Sequence, residues 1–181
     1  MEFMDVLKLR HSCRNYSDKE IDPEILEEIF EAGRTAPSAQ NRQPWRFIVI
    51  SDRALIKKVA FHSIVGASNF FIKNAHIVIV ACADTRSSLK FNGQEYYLVD
   101  VAIAFQQMML AAWNRGVGSC WLAAFDEGLL KKLLDLPEHF RIVGLSPFGY
   151  PEDKNLYSKI ISFVAKSGKR KERSEVILMI N

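Results

Sequence analysis

Three short segments of this chain concentrate the side chains that could do chemistry. The first is Arg10-His11-Ser12-Cys13-Arg14, two guanidiniums, an imidazole, a hydroxyl and a thiol within five residues. A guanidinium donates two parallel hydrogen bonds together with its charge, so this run suits a phosphate or a carbonyl oxygen. A solvated basic turn would carry the same residues. The second is 36–45, APSAQNRQPW, where two prolines exclude helix and central strand, and Ser38, Gln40, Asn41 and Gln43 supply neutral donors and acceptors. Such groups suit the polar chain or ring edge of a ligand, and equally a capping loop with local turns. The third is 116–125, GVGSCWLAAF, whose small residues let backbone approach a flat molecule while Trp121 and Leu122 supply apolar bulk. An ordinary buried strand entered through a glycine turn fits as well. A basic tail, 166–173, adds Lys166, Lys169, Arg170, Lys171 and Arg173, a loop that would order on an anion.

Other chemistries find less support. His11, His62, His76 and His139 have no metal-ligand spacing. Neither GxGxxG nor GxxxxGK[ST] occurs, which argues against a Rossmann nicotinamide domain and a phosphate loop. Cys13 among cations invites a thiolate reading, against the commoner small buried residue. Cys13, Cys82 and Cys120 are too widely spaced for a disulfide framework or a metal knuckle, so a reducing, cytoplasmic setting is expected. The formal net charge of +3, from 24 Lys and Arg against 21 Asp and Glu, gives no strong field toward nucleic acid. The most apolar stretch, 98–113, is interrupted by Asp100, Gln106 and Gln107, so a core helix is expected rather than a membrane span. The N-terminus has Glu2 and Asp5 and no apolar run before a cleavage site, and reads as helix.

The elements that must carry these segments follow from periodicity. Helix is expected over 1–9. A second helix is capped by Asp22, opens on Pro23 and fails near 33–37. Strands are expected at 45–50, 76–83, 119–125 and 141–148, with a last candidate at 176–180. Asp52 and Asp126 cap short helices, and a long central helix runs 94–115 to a stop at Gly116. The irregular interleaving predicts an α+β layered sheet, and 181 residues predict one domain spanning 1–181.

Taken in order, RHSCRNY at 10–16, APSAQNRQPWRF at 36–47, DVAIAFQQMMLAA at 100–112, GSCWLAAF at 118–125 and GYP at 149–151 resemble the nitroreductase family. The resemblance implies an α+β fold with a mostly antiparallel central sheet flanked by helices. It also implies a domain-exchanged homodimer with FMN at the interface, and NADH or NADPH as electron donor. By that similarity Arg10, His11, Ser12 and Arg14 meet the phosphate, ribityl chain and pyrimidine edge. Pro37, Ser38 and Asn41 come from the partner protomer, with Gln43 supporting their loop. Leu122, Ala123 and Ala124 lie by the isoalloxazine ring, Arg170 matches the C-terminal phosphate ligand, and Lys169 assists. Phe91, Tyr96 and Tyr97 are offered as acceptor contacts. The flavin carries the chemistry, in a ping-pong cycle that passes hydride through N5 to a nitroaromatic, quinone or similar small conjugated acceptor. A specialised relative of dehalogenase or flavin-fragmenting type, or a non-catalytic FMN-binding module, would use the same contacts. Two departures stand out: Ala123 where many relatives have glycine, and a longer segment at 152–169 before the tail.

Overall fold

The computed structural model describes residues 1–62, 67–152 and 170–180. Its centre is β2 (Ile77–Asp84), buried at every position, as an unbroken Ile/Val/Ala run requires. Antiparallel neighbours flank it: β1 (Trp45–Ile50) on one side and β6 (Phe140–Gly149) on the other, with short β5 (Gly118–Ser119) outside β6. The expected α+β fold with an antiparallel sheet is therefore present.

Alternation along β2 builds two cores. Ile77, Ile79, Ala81 and Ala83 face α2 (Pro23–Arg34) and α4 (Tyr97–Asn114), packing with Ile29, Val101, Phe105, Met108 and Phe148. Val78, Val80 and Cys82 face the other way, against Ile56 and Val59 of α3 (Arg53–His62), Ile72, and Leu130 of α5 (Glu127–Leu133). One irregularity interrupts the ladder: Ala81 pairs with Gly144 but Cys82 with Ile142, leaving Val143 as an extra residue. Val143 packs toward the first core and Ile142 lies in the second.

Caps follow the sequence closely. Asp22 accepts from Glu24 N at 2.9 Å ahead of Pro23, Asp52 from Leu55 N at 2.7 Å, and Asp126 from Leu129 N at 2.9 Å. Gly116, at φ 76°, ends α4 where a side chain would be strained. α1 spans Phe3–Leu9.

Three expectations need correction. The central helix begins at Tyr97, because Lys90–Phe91 (β3) and Gln94–Glu95 (β4) form a hairpin over Asn92-Gly93, at φ 50° and 75°. The 119–125 run is strand only at Ser119, with a single further bridge between Leu122 and Leu145. The segment 176–180 is no strand: a helical turn, Arg173–Val176, leads into extended chain whose side chains stand in solvent, from 51% exposed at Ile177 to 97% at Ile180. Among the described residues that run pairs with no strand. No helix among them is long and apolar enough to cross a membrane.

Candidate functional site

The first segment leaves α1 at Arg10 and becomes a strand fragment. Ser12 bridges Ser119 in parallel and Cys13 N donates to Ser119 O at 2.9 Å, so segments 10–14 and 118–120 are joined through backbone. Gly118 makes the contact possible, since a Cβ there would lie 2.7 Å from Cys13 Cβ. Beneath it, buried Tyr16 donates to Cys13 O at 2.7 Å, and Cys120 N donates to Ser146 Oγ at 3.0 Å. Burial pushes the Cys13 thiol up, and that thiol donates to Asn15 O at 3.2 Å. Burial likewise raises Cys120, and Cys82 to about 12. None of these is an activated thiolate, and the thiolate reading of Cys13 is set aside.

Arg10, His11 and Ser12 line a cavity of about 640 Å³ together with Leu7, Lys8, Leu9 and Arg170. Residues 160 positions apart in sequence thus share one wall, and among the described residues that lining holds Lys8, Arg10 and Arg170 and no Asp or Glu. Sequence reasoning passed over Lys8, although its place two residues before Arg10 was a signal. The imidazole of His11 sits edge-on to Trp113 at 4.7 Å, with Nδ1 3.2 Å from Leu9 O. Arg14 does not line this cavity; its Nη1 reaches Ser12 O only at 3.5 Å. Lys169 lies outside the described residues. His76, by contrast, is structural: Nδ1 accepts from Ile21 N at 3.0 Å, and burial lowers its pKa.

The second segment is a braced, strained loop. Gln40, Asn41 and Gln43 have φ of 51°, 55° and 47°, a left-handed conformation costly for any residue with a Cβ. Ser38 Oγ accepts from Gln43 N at 2.9 Å, and Gln43 Nε2 donates to Asn41 Oδ1 at 3.0 Å, so Gln43 does brace this loop. Pro37 and Asn41 are exposed and Ser38 half-buried. The loop and the cavity are separate in one chain: none of 37–43 lines it.

In the third segment Leu122 exchanges both backbone hydrogen bonds with Leu145, at 2.9 and 3.0 Å, which fixes the height of the exposed Ala123 and Ala124. Ala124 O accepts from Asn69 Nδ2 at 2.9 Å. Trp121 packs on Phe105, with ring centroids 4.9 Å apart. Of the proposed acceptor contacts, Phe91 stands on the hairpin 59% exposed and Tyr96 is half-buried, but Tyr97 is buried in the first core. Tyr97 is on the inward stripe of α4, and its placement as an acceptor contact is corrected to a packing position.

Comparison with known proteins places this architecture. The nitroreductase family model matches residues 7–69 and 62–150. A relative from Archaeoglobus fulgidus, whose name joins NADH dehydrogenase with NAD(P)H nitroreductase, is 36% identical over 157 residues, 84% of this chain and 87% of that protein. A solved nitroreductase family protein from Clostridium novyi superposes with a TM-score of 0.81 at 36% identity, covering 84% of this chain and 87% of that one. An FMN-dependent nitroreductase from Clostridium difficile does so with a TM-score of 0.79 at 26% identity, covering 98% and 99%. The chain belongs to the nitroreductase family.

Proposed function

We propose that this chain is an FMN-dependent NAD(P)H oxidoreductase that reduces a nitroaromatic, quinone or similar small conjugated acceptor. The observation that carries this reading is one cavity whose lining brings together Lys8, Arg10, Ser12 and Arg170, three cations and a hydroxyl-bearing residue. Such a donor set fits a phosphate monoester. FMN, when bound, supplies the hydride-accepting ring. Arg10 and Arg170, with Lys8 and Lys169 beside them, hold the phosphate, and His11, Ser12 and Arg14 hold the chain and ring edge. The backbone at Leu122, Ala123 and Ala124 lies against the flat ring, held at fixed height by the Leu122–Leu145 pair. Pro37, Ser38 and Asn41 reach the flavin of a second copy, with Gln43 as their brace. Phe91 and Tyr96 flank the acceptor. No side-chain acid or base is assigned to the transfer itself.

Two features support a homodimer that exchanges its C-terminal tail. Phe3, Met4, Leu7 and Leu9 of α1, with Leu98, Val99 and Ile103 of α4, present apolar surface to solvent in one chain. The 176–180 run does the same at the end of the described chain. A protein with its thiols buried and free suits a reducing cytoplasm, and residues 1–181 act as one FMN-binding unit.

The test is an absorbance spectrum of purified protein with FMN, then anaerobic addition of NADH and of NADPH. Flavin peaks that bleach support the reductase. Bound flavin that stays oxidised points to a binding module, and absence of binding refutes the cofactor assignment.

A further inference from the structure

Asp100 stands in the first turn of α4, 2% exposed, inside an otherwise apolar helix. Its Oδ1 accepts from Ala39 N at 2.9 Å, and its Oδ2, also buried, has no hydrogen-bond partner among the described residues. A buried carboxylate satisfied through one oxygen opposes folding. Stability of the chain therefore does not account for it, and what it touches does. Among the described residues, the Ala39–Asp100 bond is the one that ties 38–43 to a distant element, across 61 positions. The other bonds of that loop close within it or reach its own flank: Asn41 N to Ser38 O, Arg42 N to Ala39 O, Gln43 N to Ser38 Oγ, and Arg46 Nη1 to Gln43 O. A loop with three left-handed non-glycine residues keeps that shape only when its surroundings dictate it.

We propose that Asp100 is a positioning residue for the cofactor site, acting through Ala39 to hold loop 38–43 in its ligand-facing conformation. The role rests on the functional reading above, in which that loop meets the flavin of the partner copy. α4 also carries the exposed Leu98, Val99 and Ile103, so the same helix turn that anchors the loop presents the apolar surface offered to that copy. Loop and interface are thereby set by one rigid element.

Full-length D100A, D100N and A39P test this. A39P removes the same hydrogen bond from the loop side: Ser38 before it is already extended, at φ −143° and ψ 161°, so the preceding backbone admits proline, whose Cδ replaces the N–H and displaces the Asp100 carboxyl from it. FMN affinity is read by quenching of flavin fluorescence, and loop order by amide hydrogen exchange over 38–43 in flavin-free protein. D100A and A39P should each raise the FMN Kd at least about tenfold and speed exchange in the loop, as loss of a buried hydrogen bond implies. Neither should lower the melting midpoint of the flavin-free protein in proportion, and the double variant should be no worse than the poorer single one. D100N keeps an acceptor oxygen for Ala39 and should stay within about threefold of wild type. Wild-type affinity in either D100A or A39P overturns the proposal, as does a D100N protein as weak as D100A. If D100A does not fold, A39P alone decides. If wild-type protein binds no FMN, the functional reading fails, while the exchange data still decide whether Asp100 orders the loop.

Discussion

Segments 10–14 and 36–44 stand apart in one chain and are held by different means. The first is paired through backbone, Ser12 on Ser119 and Cys13 N on Ser119 O, over buried Tyr16. The second is held by side chains, through Ser38, Gln43 and Asp100, in dihedrals that side chains disfavour. Backbone pairing holds the first segment without calling on the Arg10 side chain, while His11 packs on Trp113 and Arg14 reaches only the neighbouring Ser12 O. Side-chain bracing makes the scaffold and the proposed ligand contacts the same residues. The first segment should therefore separate binding from folding on mutation, and the second should not.

The largest effect tests that separation. Replacing Arg10 and Arg170 with alanine should raise the FMN Kd by about a hundredfold while riboflavin, which lacks the phosphate, binds as before. Titration of both flavins by fluorescence checks it, and equal losses for both would show that the cations act on the fold. Next, G118A drives a Cβ into Cys13 and should cost about 1–3 kcal/mol in urea denaturation, breaking the backbone seam itself. S38A removes the acceptor for Gln43 N and should cost about 1 kcal/mol, together with a several-fold loss of FMN affinity. An S38A protein that binds FMN normally would erase the contrast.

The smallest effect concerns Asp84, whose backbone N donates to Pro44 O at 2.8 Å where the second segment enters the sheet. The hydrogen bonds from Arg86 hold its carboxyl down at about 2. An unfolded aspartate titrates near 3.9. Its folded value is depressed, so its contribution is complete above about pH 4 and is lost as pH falls toward 2. That contribution is on the order of 1 kcal/mol, because the Arg86 guanidinium stands largely in water. Melting curves between pH 2 and 5 should show a slope that D84N flattens.

Much of this was legible beforehand where local chemistry decides the outcome. Asp22-Pro23, Asp52 and Asp126 marked helix starts because a short carboxylate satisfies N–H groups that any helix leaves free. Strands β1 and β2 were legible because the Ile/Val runs were bounded by turn residues. The 90–95 hairpin was missed although Asn92-Gly93 is a strong turn signal, because the apolar period of α4 extends plausibly back through Tyr96. The 176–180 run looked like a strand because composition cannot say whether a partner strand exists. In the site, Arg10 and Arg170 were legible as charge from composition, and their meeting at one place only from the resemblance, since spacing alone does not bring together residues 160 positions apart. Asp100 read as an interruption of an apolar helix, since nothing in its neighbours names the loop 61 residues away that it holds.

The extra residue at Val143 has a consequence for how this chain tolerates change in length. A sheet assigns its residues to two faces by parity, and most single deletions within β6 would send everything on one side of the cut to the wrong core. At Val143 the parity already slips, since Val143 packs on the first core and the next residue, Gly144, pairs with Ala81 on that same face. Removing Val143 joins Ile142 to Gly144 with alternation intact, so every other residue of β6 keeps its face. It is the one point in the central ladder where the reading frame of the sheet absorbs a lost codon.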